Sequence, residues 1–171
     1  MRSMWRKNGF LVWLMPFLLF MTVSELHADW RLQPVEDFSA VAQQAQARNV
    51  PVVIYFSRER CPPCQRFEEN ALLPLIENGL VADYIEIVEL IADNDAKVKD
   101  FYGDEVPASE MVELYNVTTF PRLVFVNAQG DELGIRMENS GAYDYFPYYF
   151  RQRINQALEK LANPKRIKEG Y

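Results

Sequence analysis

Apolar residues recur at two spacings along the chain and divide it into elements. From Glu36 to about Arg48, Phe38, Val41 and Ala45 recur at helical spacing, and Glu36 and Asp37 suit the positive end of a helix dipole. Pro51 ends the connection. Val52–Ser57 is then a continuous β-branched and aromatic run, which predicts a buried central strand. A helix opens at Cys61-Pro62-Pro63-Cys64, with Cys64, Phe67 and Ala71 on one face, and Pro74 is expected to kink or end it. Tyr84–Leu90 reads as a second strand. The polar, acidic stretch from Asp93 to Ser109, with turn signals at Gly103 and Pro107, reads as a surface loop; the register of a calcium loop is absent from it. Glu110–Tyr115 reads as a short helix closed by Asn116, a residue that tolerates the left-handed conformation. Arg122–Asn127 and Glu132–Met137 flank Ala128-Gln129-Gly130-Asp131 as a hairpin. A last helix from Phe146 to Leu161 carries Phe146, Phe150, Ile154, Leu158 and Leu161 as its apolar stripe.

Strands alternating with helices make this an α/β chain. Its first two strands are expected to be parallel, because crossover helices join them, and helices are expected on both sheet faces. The closing hairpin is expected to add antiparallel edge strands. A length of 171 residues favours one domain. With 49% hydrophobic and 25% charged residues, the composition is that of a globular protein rather than a disordered or multi-span one. A net charge of -6 argues against nucleic acid as a partner, since phosphate binding needs a concentrated basic surface.

The N-terminal segment stands apart. Arg2, Arg6 and Lys7 precede an apolar run from Phe10 to Val23 and a polar patch leading to Ala28, the pattern of a secretory signal peptide. Cleavage after Ala28 is expected, with an uncleaved anchor as the alternative. Interrupted by Pro16, the run is short for a membrane span. The expected organisation is a leader over 1–28, one domain over 29–162 and a basic, solvated tail over 163–171. Either fate of the leader places the domain outside the cytoplasm, in the periplasm. Its removal takes away His27, the only histidine, and leaves 15 basic residues against 23 acidic, a net of -8. A chain without histidine has neither a Cys–His pair nor a histidine metal site.

Chemistry therefore concentrates at Cys61 and Cys64, the only cysteines. Cys61 follows a strand and opens a helix, where free backbone N–H groups and the dipole stabilise a thiolate. Arg58 and Arg60 add positive charge nearby. Cys64 lies one helical turn on, within bonding reach and shielded by its neighbours. This arrangement suits an attacking thiol and a resolving thiol. Other readings differ in what they need. Zinc requires further ligands. Haem attachment requires histidine at position 65, which is Gln65. A structural disulfide closing so short a loop gains little stability. Two thiolates holding Cu(I) stays open, in a binding module rather than an enzyme.

Val52–Ser57, Cys61-Pro62-Pro63-Cys64 and Thr119-Phe120-Pro121 together resemble the thioredoxin fold, a central mixed β-sheet with helices on both faces. The resemblance covers about Phe38 to Leu161. Within the superfamily the chain is similar to secreted SoxW-type proteins in Phe67 and Pro74, in Phe101-Tyr102-Gly103-Asp104-Glu105 followed by Ser109-Glu110, and from Gly141 through Phe150. The resemblance implies that Pro121 has a cis peptide bond beside the cysteine pair, and that the backbone of Phe120 pairs with the substrate. It implies a redox-active Cys61–Cys64 disulfide in place of any cofactor, and a disulfide-bearing protein or small molecule as substrate. A membrane electron donor is implied as partner, with a link to sulfur-compound or cytochrome c chemistry. No dimerisation segment is evident, so a monomer is expected.

The chain departs from the family in its site. The buried aspartate that many thioredoxins carry six residues before the first cysteine is Tyr55 here, and Glu59 is the candidate substitute as proton acceptor. The usual tryptophan before that cysteine is Arg60, which is expected to lower the Cys61 pKa. Pro63 matches thioredoxin's own motif and is tolerated in a first helical turn. Pro62 stiffens the loop but removes an N–H donor. The expected activity is extracytoplasmic reduction of disulfides, with an oxidant as the alternative direction and isomerase work disfavoured. Tyr143, Tyr145, Tyr148 and Tyr149 are expected to pack against the sheet edge, with a partner-binding patch as the alternative.

Overall fold

The computed structural model describes residues 32–168 apart from positions 80, 95, 139 and 140. The expected leader over 1–28 lies outside the described residues. Among them, no helix is long and apolar enough to cross a membrane.

Helix α1 (Phe38–Arg48) starts where the Asp37 carboxylate accepts the Ala40 N–H at 3.0 Å, and Asn49 ends it in the left-handed conformation at φ 51°. Phe38, Ala42 and Ala45 are its buried residues. Strand β1 (Val52–Ser57) is buried at every position, as its uninterrupted apolar run requires. It pairs in parallel with β2 (Glu86–Ile91) and antiparallel with β5 (Arg122–Val126), which in turn pairs with β6 (Glu132–Glu138). The order β2-β1-β5-β6 makes this an α/β fold with a mixed central sheet. One expectation needs correction: of the two hairpin strands β5 lies inside the sheet, and only β6 is an edge. The composition explains it, since Leu123–Val126 is apolar on both faces, whereas Glu132, Arg136 and Glu138 give β6 a polar side.

Tyr55, Leu123 and Phe125 point to one face of the sheet, against Phe67, Phe146 and Phe150; Phe56 points to the other, against Tyr115. Helix α5 (Phe146–Lys160) buries Phe146, Phe150, Ile154 and Leu158. Its sheet-facing positions are thereby filled. Tyr145, Tyr148 and Tyr149 are consequently turned outward at 66%, 44% and 51% exposure, which corrects the expectation that they pack against the sheet edge.

Two polar stretches also depart from expectation. Within the presumed loop after Asp93, β3 (Lys97–Lys99) and β4 (Glu105–Pro107) form a two-stranded ribbon with Val98 opposite Val106. Val98 is buried, so a Lys-Val-Lys alternation carried a period-two signal that the surrounding acids obscured. Helix α4 (Ala108–Leu114) follows, and Asn116 takes the left-handed conformation expected of it. The C-terminal segment keeps Pro164, Lys165 and Arg166 exposed but docks at two points as far as Ile167. Asn163 is buried and donates to the Asn49 carbonyl at 2.6 Å, while Asn155 exchanges two hydrogen bonds with the Ile167 backbone. Outside the main sheet's ladder, the Val35 N–H donates to the Glu89 carbonyl beside β2, and Lys160 reaches the Leu133 carbonyl on β6. Gly130 turns the β5–β6 hairpin at φ 84°; a Cβ there would meet the Phe101 ring at 2.7 Å.

Candidate active site

Antiparallel pairing of β1 and β5 brings two distant segments to one rim of the sheet. The end of β1 leads through Arg58, Glu59 and Arg60 to Cys61, and Thr118-Thr119-Phe120-Pro121 leads into the start of β5. Phe56 opposite Arg122 is the last pair of that ladder. Cys61, Arg58, Glu59, Arg60, Asp93, Thr118, Thr119 and Phe120 line one groove of about 510 Å3.

Cys61 is the N-cap of α2 (Pro62–Phe67), and its sulfur accepts the Cys64 N–H at 3.2 Å. Pro62 and Pro63 occupy the first two helical positions, where no intrahelical N–H bond is lost. Cys61 and Cys64 are joined as a disulfide with Cα atoms 5.2 Å apart. Their exposure differs: Cys64 is 4% exposed, whereas Cys61 is half-buried at the groove. Buried Phe67 and Ala71 continue the Cys64 face. Pro74 does not end the helix. A π-helical turn (Glu68–Leu72) precedes it, so Pro74 falls in the first turn of a new segment, α3 (Leu73–Glu77), where its missing donor is tolerated.

The loop before Cys61 is anchored rather than free. Asp93 accepts from Arg58 Nε at 3.2 Å and from the Glu59 N–H at 2.7 Å. The Arg58 guanidinium sits 5.5 Å from the centre of the Phe120 ring. Arg60 takes the left-handed conformation at φ 50°, a strained choice for a residue with a side chain. Glu59 and Arg60 are exposed, and among the described residues neither forms an ion pair. Phe120 is half-buried, lining the groove with one part and packing on the core with another. The Phe120–Pro121 peptide bond is cis, and Pro121 is buried.

Behind the disulfide, Tyr55 is fully buried and donates its hydroxyl to the Cys64 carbonyl at 3.2 Å. Burial first, and then the nearby Glu68 and Glu89 carboxylates, push its pKa far up, so it stays a neutral donor. Glu89 pairs with Tyr55 across β1–β2 and lies on the same face; its carboxylate accepts from the Ser57 hydroxyl. Burial raises the Glu89 pKa against that opposing hydrogen bond. The carboxylate on the Tyr55 side of the sheet is therefore the half-buried Glu89, not the exposed Glu59. Sequence reasoning missed it because β2 was read as one more apolar strand; the signal was an acid within Ile87-Val88-Glu89-Leu90-Ile91.

Arg122 was likewise read only as a strand residue. Its side chain, 11% exposed, pairs with Glu138 at 2.8 Å and donates to Thr119 Oγ1 at 2.5 Å, tying the Pro121 loop to β6. Among the described residues no group of three or more histidine, cysteine or acidic side chains is placed to hold a metal ion.

The sequence matches the thioredoxin-like domain family over residues 38–158. Among solved structures, the DsbH oxidoreductase is similar with a TM-score of 0.55 at 20% identity, covering 72% of this chain and 85% of that one. A thioredoxin from Thermus thermophilus gives 0.51 at 23% identity, covering 71% and 87%. At such identities the likeness is one of fold. No match was found among curated proteins.

Proposed function

This chain belongs to the thioredoxin-like domain family, and on that premise we propose that it is an extracytoplasmic thiol:disulfide oxidoreductase that reduces its substrates. The observation that carries the reading is the asymmetry of the Cys61–Cys64 disulfide: one sulfur opens on a groove and the other is sealed beneath it. In the reduced protein, the Cys61 thiolate attacks one sulfur of a substrate disulfide and the first substrate thiolate leaves. Cys64 then attacks the Cys61 sulfur, the second thiolate leaves, and the intramolecular disulfide forms. Two electrons pass from the pair to the substrate.

The helix N-terminus at Cys61 favours the thiolate that starts this sequence, and Arg60 adds to that field. The substrate lies against Phe120 in the same groove, beside the cis peptide bond to Pro121. Export is supported by the basic and apolar pattern of residues 2–28. An oxidising compartment does not keep such a pair reduced, so a membrane-borne donor of electrons is part of the proposal. The finer kinship to SoxW-type proteins rests on the segments about Phe67 and Pro74, Phe101–Glu105 and Gly141–Phe150.

The reduction potential of Cys61–Cys64, measured by equilibration against thiol–disulfide buffers, tests the direction. A value near about -270 mV supports a reductant, and one near about -120 mV replaces it with an oxidant. Cys64→Ser tests the order of attack. The variant is expected to accumulate a mixed disulfide on Cys61, read as an added substrate mass. Accumulation on position 64 in a Cys61→Ser variant instead would reverse the assignment.

A further inference from the structure

The groove beside Cys61 has an unusual wall for a site that takes protein chains. Half of its lining residues are charged: Arg58, Glu59, Arg60 and Asp93. They divide into two kinds. Arg58 and Asp93 satisfy each other, and Arg58 also lies over the Phe120 ring, so the aromatic face that an apolar side chain would seek is covered by a cation. Glu59 and Arg60 are exposed, have no ion-pair partner among the described residues, and sit side by side immediately before Cys61. Their backbone is held in place. Asp93 holds the Glu59 backbone at 2.7 Å, and the left-handed turn at Arg60 sets where the chain delivers that side chain. One anion and one cation, each without an ion-pair partner among the described residues, therefore line the groove on which Cys61 opens.

We infer that the groove takes the disulfide of a small zwitterionic thiol, whose carboxylate meets Arg60 and whose ammonium meets Glu59 while Cys61 attacks its sulfur. The inference deepens the oxidoreductase reading and rests on it. Its chemistry balances as that reading requires: each substrate disulfide leaves as two thiols, each taking up one proton, and Cys61–Cys64 becomes the disulfide. A dithiol donor then restores the reduced pair. A disulfide inside a protein chain has its cysteine amino and carboxyl groups tied up as peptide bonds and has neither group to offer these two charges.

The test compares two disulfides of one scaffold under stopped flow with the reduced full-length protein. One is cystine; the other is cystine with both amino groups acetylated and both carboxyl groups amidated, which copies the state inside a peptide. Each rate is divided by that of dithiothreitol with the same compound, which removes differences in leaving-group reactivity. Two exposed ion pairs predict that free cystine is favoured by roughly tenfold. Arg60→Ala and Glu59→Gln are each expected to shrink that ratio by about three- to fivefold. Arg60→Glu is expected to turn the preference toward cystamine, which carries ammonium groups and no carboxylate. A wild-type ratio at or below one overturns the inference in favour of a chain-reading groove and leaves the oxidoreductase standing. Equal slowing of both compounds in Arg60→Ala also overturns it, since Arg60 then acts on Cys61 alone. If no disulfide is reduced at all, both readings fall together.

Discussion

Tyr55→Phe removes one oxygen atom from the floor of the site, and its cost can be worked from the geometry. Tyr55 is fully buried, its ring lies 5.8 Å from that of Phe67, and its hydroxyl donates to the Cys64 carbonyl at 3.2 Å. Phenylalanine keeps the ring and its packing. The carbonyl is not orphaned either, because the Glu68 N–H also donates to it. The loss is then the net worth of one buried hydrogen bond, about 0.5–1.5 kcal/mol, without a desolvation penalty for a stranded acceptor. With a urea dependence of roughly 2 kcal/mol per molar, the midpoint of unfolding falls by about 0.25–0.75 M. Tyr55→Ala deletes the ring as well and is expected to cost about 3–5 kcal/mol. Equilibrium urea unfolding of the oxidised protein measures both. A Tyr55→Phe midpoint equal to that of the parent would show that the hydroxyl contributes nothing. A loss matching that of Tyr55→Ala would refute the division between ring packing and hydrogen bond.

Two further outcomes follow from polar groups that are partly or fully buried. Glu89 has a folded-state pKa raised by burial above its usual 4.5, so the folded protein holds its proton where the unfolded chain releases it. Stability therefore declines as pH rises from about 4.5 through the raised value; Glu89→Gln should remove that decline and be relatively more stable at neutral pH, as read by denaturation midpoints across pH. Asn163→Ala deletes a 2.6 Å hydrogen bond to the carbonyl of the exposed Asn49, for a loss of about 0.5–1.5 kcal/mol; an unchanged melting midpoint would show that this contact of the C-terminal segment carries no weight.

The sequence was most readable where one physical signal dominates. Val52–Ser57 fits only a buried strand, and Glu36 and Asp37 mark a helix start at which the structure places Asp37 as the cap. Cys61 and Cys64 were legible because a strand, a helix start and two prolines fix their geometry within four residues. What escaped depends on pairing across the chain. Whether Glu89 faces solvent or the Tyr55 side is decided by the β1–β2 register, and whether Arg122 is buried depends on β6 lying beside it. Tyr143 packs against the core, but Tyr145, Tyr148 and Tyr149 were misplaced for a related reason. Their number suggested packing, but Phe146, Phe150 and Ile154 had already taken the inward positions. Asn163 and Ile167 carry no periodic signal, so only the Asn49 and Asn155 contacts reveal that they dock.

The two borders of the main sheet bear on how the protein behaves when crowded. An open strand is a template for another chain, and self-association through such borders is a standing hazard at high local concentration. Here the β2 side is met by the lead-in segment, whose Val35 bonds to Glu89 and whose Pro34 can offer no further donor. The β6 side is broken by the irregular register beside Phe125 and Val126, by Gly134 at φ 66°, and by Lys160 occupying the Leu133 carbonyl. A cation and a kink together make a poor template for a growing fibril. The disulfide can thus be opened and closed in a sheet whose margins are guarded against sticking to a neighbour.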